Sequence, residues 1–468
     1  MEKKRNKHDV KKTPWKKITG IVILVLALIY GGISLFFTYH YYAGTTINGY
    51  DCEFKNIEDV KAMIKGTVSK YKIRVKERDG KEEFVTAKQT GLSFVDDGKL
   101  EKIMEEQKGY AWVKAFFEKY IYRDGITLDV DQEALNKTVN QMDAFNKELV
   151  VAPKSAYSKY DEKSDSYVIV DEVYGNTIKK KRFMKYLKEA IIAQEKEWDV
   201  EKAECYKNPK YKKDSKEIVK SNKKLNKYVS TELTYDFGDR SQKLSGKKIH
   251  KWLYLTKKFE VKIHREMVEK YVEDMADKYD TLGRARYFTS IAGNEVSVEG
   301  GTYGWKIDQE EETEKLVGLI KKGKKGTREP EYEHIAKSRN SQDLGDTYVE
   351  VDLGSQHMWF YKNGQILVST PVVTGDTSKG RGTPTGVYYI LYKDTNRTLR
   401  GEGYASHVNY WLPITHSGIG IHDASWRSSY GGSIYRGNGS HGCINTPWSA
   451  VRTIYNNIES TYPVVVHW

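Results

Sequence analysis

The longest hydrophobic segment of the chain is an uninterrupted run close to its start. Ile18 to Phe37 holds no charged residue in twenty positions. A helix rises 1.5 Å per residue, so this run spans the roughly 30 Å hydrocarbon core of a bilayer. The pattern predicts a transmembrane helix over residues 18–39. The length of the run, and the lack of a clear small-x-small cleavage site after it, favour a retained anchor over a signal peptide.

The next part of the chain alternates between strand-like and helix-like patterns. Three stretches each show an alternating strand, then a glycine, then an amphipathic helix. They start at Phe84, Tyr167 and Val296. The later two share the sequence Tyr-Gly-x-x-Ile, at 174–178 and 303–307. We therefore predict an α+β region of short repeats over residues 40–335.

A different pattern, with many short strands, begins at Asp346. Asn363-Gly364 separates two apolar runs, which is the strongest short signal for a hairpin. The sequences GVYYILYKD and PVVVHW add further strands, so residues 346–468 are expected to form a mainly β domain. One helix is predicted near the end, with Thr446 as its cap and Pro447 at its first position. Its buried stripe is expected to comprise Val451, Ile454, Tyr455 and Ile458. The polar stretch over 336–345 has the composition of a linker.

Charge gives the apolar helix a direction. Residues 1–17 contain eight Lys and Arg residues against Glu2 and Asp9, a net charge of +6. Because positive residues stay on the cytoplasmic side, this tail is predicted to be inside and the rest of the chain outside. The whole chain carries +13, and no pattern of basic and aromatic residues indicates nucleic-acid binding. The positive charge of the chain outside this tail is consistent with weak attraction to anionic wall polymers, or with solubility alone.

The candidate chemistry lies in the sequence SHGCIN, residues 440–445. Cys443 is predicted to lie just before the last helix, where the helix dipole and unpaired N–H groups favour a thiolate. Gly442 lets the backbone approach a substrate closely. A thiol nucleophile needs a base, and His422 lies upstream in GIGIHDASW, before a glycine-rich loop. The other two cysteines, Cys52 and Cys205, have a spacing that neither requires nor forbids a disulfide.

Together, His422, the seventeen residues that separate it from SHGCIN, and the sequence TPTG at 383–386 resemble the signature of the YkuD-type L,D-transpeptidases. The upstream region resembles the peptidoglycan-binding repeats found ahead of some wall enzymes. The resemblance implies an α+β ectodomain behind one transmembrane helix, with a mainly β YkuD-type catalytic domain at 346–468. It also implies a single-pass protein of the bacterial cell membrane, with its catalytic domain on the wall side.

The resemblance also implies roles for individual residues. Cys443 would be the nucleophile, His422 the general base, and His441 a further catalytic residue, with Asp423 orienting His422 through its carboxylate or its carbonyl. The residues expected to shape the substrate pocket and the oxyanion site are Gly442, Ser440, Asn445, Tyr404 and Trp411. No cofactor or metal is expected.

The implied reaction is a two-step acyl transfer. Cys443 attacks the carbonyl of the third stem-peptide residue, D-alanine leaves, and a thioester forms. An amine of a neighbouring stem then attacks the thioester, which gives a 3–3 cross-link. Water in place of the amine would make the protein an L,D-carboxypeptidase. A sortase would need a different sequence before the thiol, and an inert wall-anchoring domain would leave the Cys443 and His422 pair unexplained. Zinc binding by His416, His422, His441 and Cys443 lacks a closely spaced ligand pair.

Overall fold

The structure, a computed structural model, describes residues 15–291, 293–401 and 403–468. Most of the predicted cytoplasmic tail, residues 1–14, lies outside the described residues. Contacts divide the chain into two units. The first runs to Ala156 and resumes over Asp171–Lys212, and the second comprises Tyr157–Val170 and Lys213–Trp468.

The predicted apolar helix is present as α1 (Trp15–Tyr39). Within the described ranges it is the one helix long and apolar enough to cross a membrane, judged by length and composition. Its apolar side chains are almost all exposed.

The region after α1 mixes short strands and helices, as the sequence predicted. Up to residue 212 the strands are β1 (Thr46–Ile47), β2 (Tyr50–Asp51), β3 (Lys72–Lys76), β4 (Glu82–Thr86), β5 (Ser93–Val95), β6 (Ile121–Tyr122), β7 (Thr127–Asp129), β8 (Tyr157–Asp161), β9 (Ser166–Val170) and β10 (Glu197–Asp199). The helices are α2 (Ile57–Ser69), α3 (Ala87–Thr90), α4 (Lys99–Gln107), α5 (Gln132–Gln141) and α6 (Lys180–Ile192), with a 3₁₀ helix over Gly109–Phe116.

From residue 213 to the predicted linker the same mixture continues. The helices are α7 (Lys216–Val229), α8 (Gly246–Ile249), α9 (Arg265–Tyr279) and α10 (Gln309–Lys322). The strands are β11 (Glu232–Asp236), β12 (Ser241–Leu244), β13 (Leu253–Leu255), β14 (Val261–Ile263), β15 (Arg286–Thr289), β16 (Glu295–Val298), β17 (Lys306–Ile307), β18 (Lys325–Arg328) and β19 (Tyr332–His334).

Two segments of this region share one topology, which defines a first repeat (57–199) and a second repeat (216–328). Each begins with a helix, a hairpin and a short helix, and each ends with a long helix and a strand. The last strand joins the first strand of the hairpin in parallel, giving the sheet orders β10-β3-β4 and β18-β11-β12. The stretches that start at Tyr167 and Val296 fall at equivalent places in the two repeats, whereas the stretch from Phe84 lies within the first repeat, so the structure has two longer units where the sequence suggested three short ones.

The shared Tyr-Gly-x-x-Ile motif occupies the same place in both repeats, just before α6 and α10. Its glycines, Gly175 and Gly304, have φ of 61° and 149°. A Cβ atom would lie 2.3 Å from the Val151 carbonyl oxygen at the first and 2.4 Å from the Leu282 nitrogen at the second. The motif therefore serves close backbone packing. Gly91, the glycine of the stretch that starts at Phe84, has a different role, because it ends helix α3.

The predicted linker, residues 336–345, connects the second repeat to the last domain but is packed against neighbouring residues. Asp343 is fully buried and forms an ion pair with the equally buried Arg286, at 2.8 Å. Leu344 joins a small apolar cluster with Phe288 of the β15–β16 hairpin and Val465 of the last domain. The polar composition of this stretch thus reflects a buried salt bridge as well as exposure.

The last domain contains two sheets and one long helix. Its strands are β20 (Tyr348–Asp352), β21 (His357–Lys362), β22 (Gln365–Pro371), β23 (Gly386–Tyr389), β24 (Asp394–Gly401), β25 (Tyr404–Pro413), β26 (Gly420–Asp423), β27 (Ile444–Thr446) and β28 (Pro463–His467). The helices are α11 (Tyr435–Asn438) and α12 (Trp448–Asn457). One sheet has the order β22-β21-β20-β28-β23 and the other β24-β25-β26-β27. The mainly β prediction and the Asn363-Gly364 hairpin between β21 and β22 are confirmed.

The start of α12 differs from the prediction. Thr446 does not cap the helix, because it is the last residue of β27, where it pairs with Asp423. Pro447 is the N-cap and the helix begins at Trp448. The buried face contains Ala450, Val451 and Ile454, with Ile458 at the C-cap buried as well and Tyr455 partly so.

The outer edge of strand β23 is covered by the segment 300–303 of the second repeat. The Val387 N–H donates to the Gly300 carbonyl at 3.1 Å, and its carbonyl accepts from Thr302 and Tyr303 at 2.9 and 3.0 Å. Gly386 and Gly301 lie so close that a Cβ on Gly386 would lie 3.0 Å from the Gly301 Cα. The sheet is therefore completed by backbone from the preceding repeat.

Candidate active site

Strand register brings the candidate residues to one face of the second sheet. Trp411 pairs with His422 across β25 and β26, and His422 pairs with Asn445 across β26 and β27. Paired residues point to the same face, and so does Cys443, two positions before Asn445. The intervening residues Ile421 and Ile444 point the other way, into the domain core.

This face borders a cavity of about 540 Å³. Six of the predicted site residues line it: Tyr404, His422, Ser440, His441, Cys443 and Asn445. Residues far apart in the sequence, from β25 to β27, thus meet around one concave site that can hold part of a peptide.

The imidazole of His422 is buried and has a defined tautomer. Its Nδ1 lies 2.8 Å from the backbone carbonyl oxygen of Asp423. Because a carbonyl only accepts, Nδ1 carries the proton and Nε2 keeps a lone pair. Burial lowers the pKa of His422 below its ordinary value, which keeps the ring neutral. The Asp423 carboxylate does not touch this ring, since it accepts from the backbone N–H groups of Asn409 and Tyr410, each at 2.8 Å.

Asn445 connects His422 to a residue that the sequence did not single out, Arg427. The guanidinium only donates, so the Asn445 carbonyl oxygen faces it, at 2.7 Å from Nε. In this orientation the amide nitrogen of Asn445 donates to Nε2 of His422 at 3.3 Å. Arg427 thus sets the amide orientation, and the Asn445 amide engages the Nε2 lone pair, so it must release this lone pair before His422 can accept a proton there.

The surroundings of Cys443 favour the protonated thiol over the thiolate. Burial raises its pKa to about 11, and the Sγ–H donates weakly to the Gly418 carbonyl at 3.6 Å. The sequence predicted that SHGCIN comes immediately before the last helix, but strand β27 and Pro447 lie between Cys443 and helix α12 in the chain. A thiol in this setting depends on a base to remove its proton at neutral pH.

The turn that carries Cys443 is fixed by hydrogen bonds. The Ser440 hydroxyl donates to the Cys443 carbonyl at 2.6 Å and accepts from the Gly442 N–H at 3.0 Å. Thr383, in the TPTG sequence, donates to the Gly442 carbonyl at 2.7 Å. Gly442 has a φ of 116°, a conformation that favours glycine. Ser440 and Gly442 therefore shape the turn, and the Gly442 N–H is already engaged within it.

His441 lies at the exposed rim of the cavity. Its Nε2 accepts from the guanidinium of Arg381 at 2.6 Å, so its proton is on Nδ1. Burial, and then the charges of Arg381 and Lys379, lower its pKa. The ring stacks on Tyr404, with centroids 4.5 Å apart. Neither Arg381 nor Arg427 was predicted, although both lie close to the TPTG and HDASW sequences that were.

Trp411 was predicted to line the substrate pocket, and this is wrong. It is buried beside Cys443 in a small cluster with Val408, and its ring lies 5.8 Å from that of His422. It packs beside both Cys443 and His422 but is not part of the cavity lining.

Metal binding finds no support among the described side chains. No group of three or more His, Cys, Asp or Glu residues there is arranged to hold an ion. All three cysteines are free thiols, so Cys52 and Cys205 are not paired.

Comparisons with known proteins agree with this geometry. Residues 346–466 match the family model of the L,D-transpeptidase catalytic domain (YkuD), and residues 211–328 match that of a peptidoglycan binding domain. A solved structure of an Enterococcus faecium L,D-transpeptidase, a cysteine-to-serine mutant, is 36% identical over 54% of this chain and 100% of that one, with a TM-score of 0.48. The chain belongs to the L,D-transpeptidase family.

Two further structures are similar to this L,D-transpeptidase. Ldtfm in its avibactam carbamoyl form is 36% identical, covers 53% of this chain and 98% of its own, and has a TM-score of 0.49. The catalytic domain of the E. faecium enzyme acylated by ertapenem is 45% identical over 26% of this chain and 98% of its own, with a TM-score of 0.25. A comparison with curated proteins found no match.

The matches divide this L,D-transpeptidase in a way that fits its fold. All of the cavity residues lie within the match to the catalytic domain. The second repeat lies within the match to the peptidoglycan binding domain, whereas the first repeat lies outside both matches.

Proposed function

We propose that this protein forms 3–3 cross-links in peptidoglycan from tetrapeptide stems, through a thioester on Cys443. The observation that carries the proposal is that Cys443 and His422 line the same cavity, with His422 on strand β26 and Cys443 immediately before the parallel neighbouring strand β27. Cys443 supplies a thiol, and His422 supplies an imidazole whose Nδ1 proton is held by Asp423 and whose Nε2 keeps a lone pair. This pair is the minimum that covalent acyl transfer requires.

In the first step His422 takes the thiol proton as Sγ attacks the carbonyl of the third stem residue. The bond from that carbonyl to D-alanine breaks, and the proton on Nε2 passes to the leaving amine. The products are D-alanine and an acyl thioester. The raised pKa of Cys443 and the lowered pKa of His422 favour a neutral resting pair, so the proton moves during the attack.

In the second step a side-chain amine of another stem attacks the thioester. His422 accepts a proton from the amine and returns one to the sulfur, which restores the starting state as the amide forms. The Nδ1–H of His441, whose position Arg381 fixes, is a neutral donor at the cavity rim for either stem. Tyr404, stacked on His441, forms the adjoining wall.

The arrangement along the chain suits an enzyme held at the membrane. We propose that residues 1–17 are cytoplasmic, that 18–39 cross the membrane, and that 40–335 form the wall-binding part. Residues 336–345 then connect it to the catalytic domain at 346–468. The basic tail and the apolar helix α1 support this orientation, since positive residues remain inside.

Incubation of the protein with purified tetrapeptide stems, followed by mass spectrometry, tests the reaction. The proposal expects a cross-linked dimer with release of D-alanine. A tripeptide alone would make the enzyme an L,D-carboxypeptidase, and absence of any product would indicate a wall-binding role without catalysis. External protease on wall-stripped cells tests the topology, because digestion of everything beyond the anchor is expected.

A further inference from the structure

An exposed apolar surface in the first unit has no part in the proposed chemistry. It belongs to the 3₁₀ helix at Gly109–Phe116 and the residue that follows. Tyr110, Val113, Phe116 and Phe117 are 63%, 41%, 70% and 86% exposed. We call these four side chains the juxtamembrane face. Four such residues on one short element form a contiguous apolar patch of the kind that marks a binding surface.

The period of the 3₁₀ helix explains why the patch has one orientation. With three residues per turn, side chains at i and i+3 lie above one another. Tyr110, Val113 and Phe116 therefore form one outward row, while Gly109 and Trp112 belong to the row that faces the apolar helix α1. The third row contains Ala111 and Lys114 and continues to Phe117, and the other two rows are apolar.

The inner row is in direct contact with the apolar helix. A Cβ on Gly109 would lie 2.4 Å from the Ser34 carbonyl oxygen, so the two backbones touch. Trp112 packs against Tyr30 and Phe37, with ring centroids 5.8 and 6.1 Å apart. The Tyr30 hydroxyl donates to the Tyr110 carbonyl. The 3₁₀ helix thus lies along the last two turns of α1 and not beyond its end.

The same junction is locked by one buried amide. The Gln107 side chain donates to the carbonyls of Phe37 and His40 at 2.9 and 2.6 Å, and accepts from the Tyr42 N–H at 3.0 Å. These carbonyls are among those that the end of a helix leaves without partners. The 3₁₀ helix, which starts two residues after Gln107, is therefore held at a fixed height on α1.

From this geometry we propose that the juxtamembrane face inserts into the outer leaflet of the membrane as a second attachment, beside α1. The inference rests on the proposed membrane anchoring, which places Phe37 at the outer boundary of the hydrocarbon. Tyr30 lies about 10 Å below that boundary at 1.5 Å per residue. Because the Tyr110 carbonyl accepts from the Tyr30 hydroxyl, Tyr110 lies at a similar depth and is placed among the lipids. This agrees with the depth of about 5–10 Å to which interfacial apolar elements are typically buried.

The surrounding residues fit a lipid partner better than a protein partner. Tyrosine is favoured at the membrane interface, and the patch presents Tyr110 together with Phe116 and Phe117, next to the exposed charged residues Lys114, Glu118 and Lys119. Lysine side chains near an interface reach the phosphate headgroups while their stems remain in apolar surroundings. The patch is also continuous with the exposed apolar surface of α1, which the proposed anchoring already places in lipid.

Spin labels on the full chain test this directly. The protein, with Cys443→Ala to leave only the buried Cys52 and Cys205, is reconstituted in vesicles of phosphatidylglycerol and phosphatidylethanolamine. A nitroxide is attached in turn at Phe117→Cys, at Val25→Cys within α1, and at Phe84→Cys, an exposed apolar site outside the patch. Relaxation by oxygen and by a water-soluble nickel chelate reports the depth of each label.

We expect the label at 117 about 5–10 Å below the phosphates, the label at 25 deep in the bilayer, and the label at 84 in water. If the label at position 25 is in lipid but the label at position 117 is in water, the inference is overturned and the membrane anchor stands. If the label at position 25 is in water, the membrane anchor itself is rejected. If the label at position 84 is also in lipid, the juxtamembrane face does not differ from other exposed apolar sites, and the inference is overturned. Spin–spin broadening at 117 would assign the face to a second copy of the chain, which also overturns the inference.

A substitution provides an independent measurement. Phe116→Asp should move the label at 117 into water while the label at 25 stays in lipid, because a carboxylate is expensive to bury in hydrocarbon. The matched change Phe84→Asp should leave the label at 117 in lipid. If Phe116→Asp has no effect on the depth at 117, the face does not insert.

Discussion

Two buried cysteines in this chain have nearly the same ionisation behaviour and different surroundings. Burial raises the pKa of both Cys52 and Cys443 to about 11. Each thiol donates weakly to a nearby carbonyl, at 3.4 and 3.6 Å. Cys52, however, is fully enclosed in the apolar core of the first unit, whereas Cys443 borders a cavity that it shares with His422.

The difference shows that thiol pKa and burial alone do not identify a nucleophile. Both properties would place Cys52 and Cys443 in the same class of inert structural cysteines. What separates them is access for a substrate and a neutral imidazole on the adjacent strand. We therefore attribute reactivity at Cys443 to its neighbours and not to an activated resting thiolate.

Removal of the thiol should have the largest effect. We expect Cys443→Ala to abolish both D-alanine release and covalent addition of a carbapenem, whose strained ring amide resembles the scissile bond. Cys52→Ala is the matched control and should retain the adduct, as should Cys205→Ala. Intact-protein mass spectrometry measures the adduct. If the Cys443→Ala protein still carried the mass of the carbapenem, Cys443 would not be the nucleophile, and its contrast with Cys52 would not hold.

Loss of the base should come next. His422→Ala is expected to slow acylation by about 10²–10⁴-fold, as is typical when a positioned base is removed. His416→Ala, an exposed histidine of the same domain, is the control and should change nothing. Stopped-flow measurement of carbapenem acylation gives both rates. Equal rates for the two variants would mean that His422 is not the base.

The pH dependence sharpens the same comparison. In the wild type the lowered pKa of His422 should keep acylation constant as pH falls below 6.5, until the ring is protonated. In His422→Ala, reaction with iodoacetamide should instead rise about tenfold per pH unit until the raised pKa of the Cys443 thiol is reached. A midpoint near neutrality in this variant would show a preformed thiolate, contrary to the structure.

The smallest effect concerns the turn that presents the thiol. Thr383→Val removes the donor to the Gly442 carbonyl and the acceptor for the Gly375 N–H. Leaving such buried groups unpaired should lower the free energy of unfolding by about 1–3 kcal/mol. Thr385→Val, at an exposed position of the same TPTG sequence, should be nearly neutral. Chemical denaturation compares the two, and equal stabilities would contradict the anchoring role of Thr383.

The sequence predicted those parts of the fold and site that depend on local signals. Asn363-Gly364 made its hairpin because both residues adopt positive φ, at 50° and 77°. The motif around Cys443 and the spacing to His422 singled out two residues that line one cavity in the structure. The α+β character of the upstream region also followed from its periodic patterns.

The remainder depended on strand register, which no local signal reveals. Parallel pairing of β26 with β27 places Asn445 beside His422 and draws Thr446 away from the helix that it was expected to cap. The same pairing inserts a strand between Cys443 and the helix dipole. Arg427 matters only because that register turns the Asn445 amide towards it.

The segment 300–303, which covers strand β23, has a consequence for solubility. An uncovered strand edge presents a row of unsatisfied N–H and C=O groups that can pair with another molecule. Here Gly300, Thr302 and Tyr303 occupy the partners of Val387 on that edge. The second repeat therefore blocks this edge of the catalytic domain from pairing with a strand of another molecule.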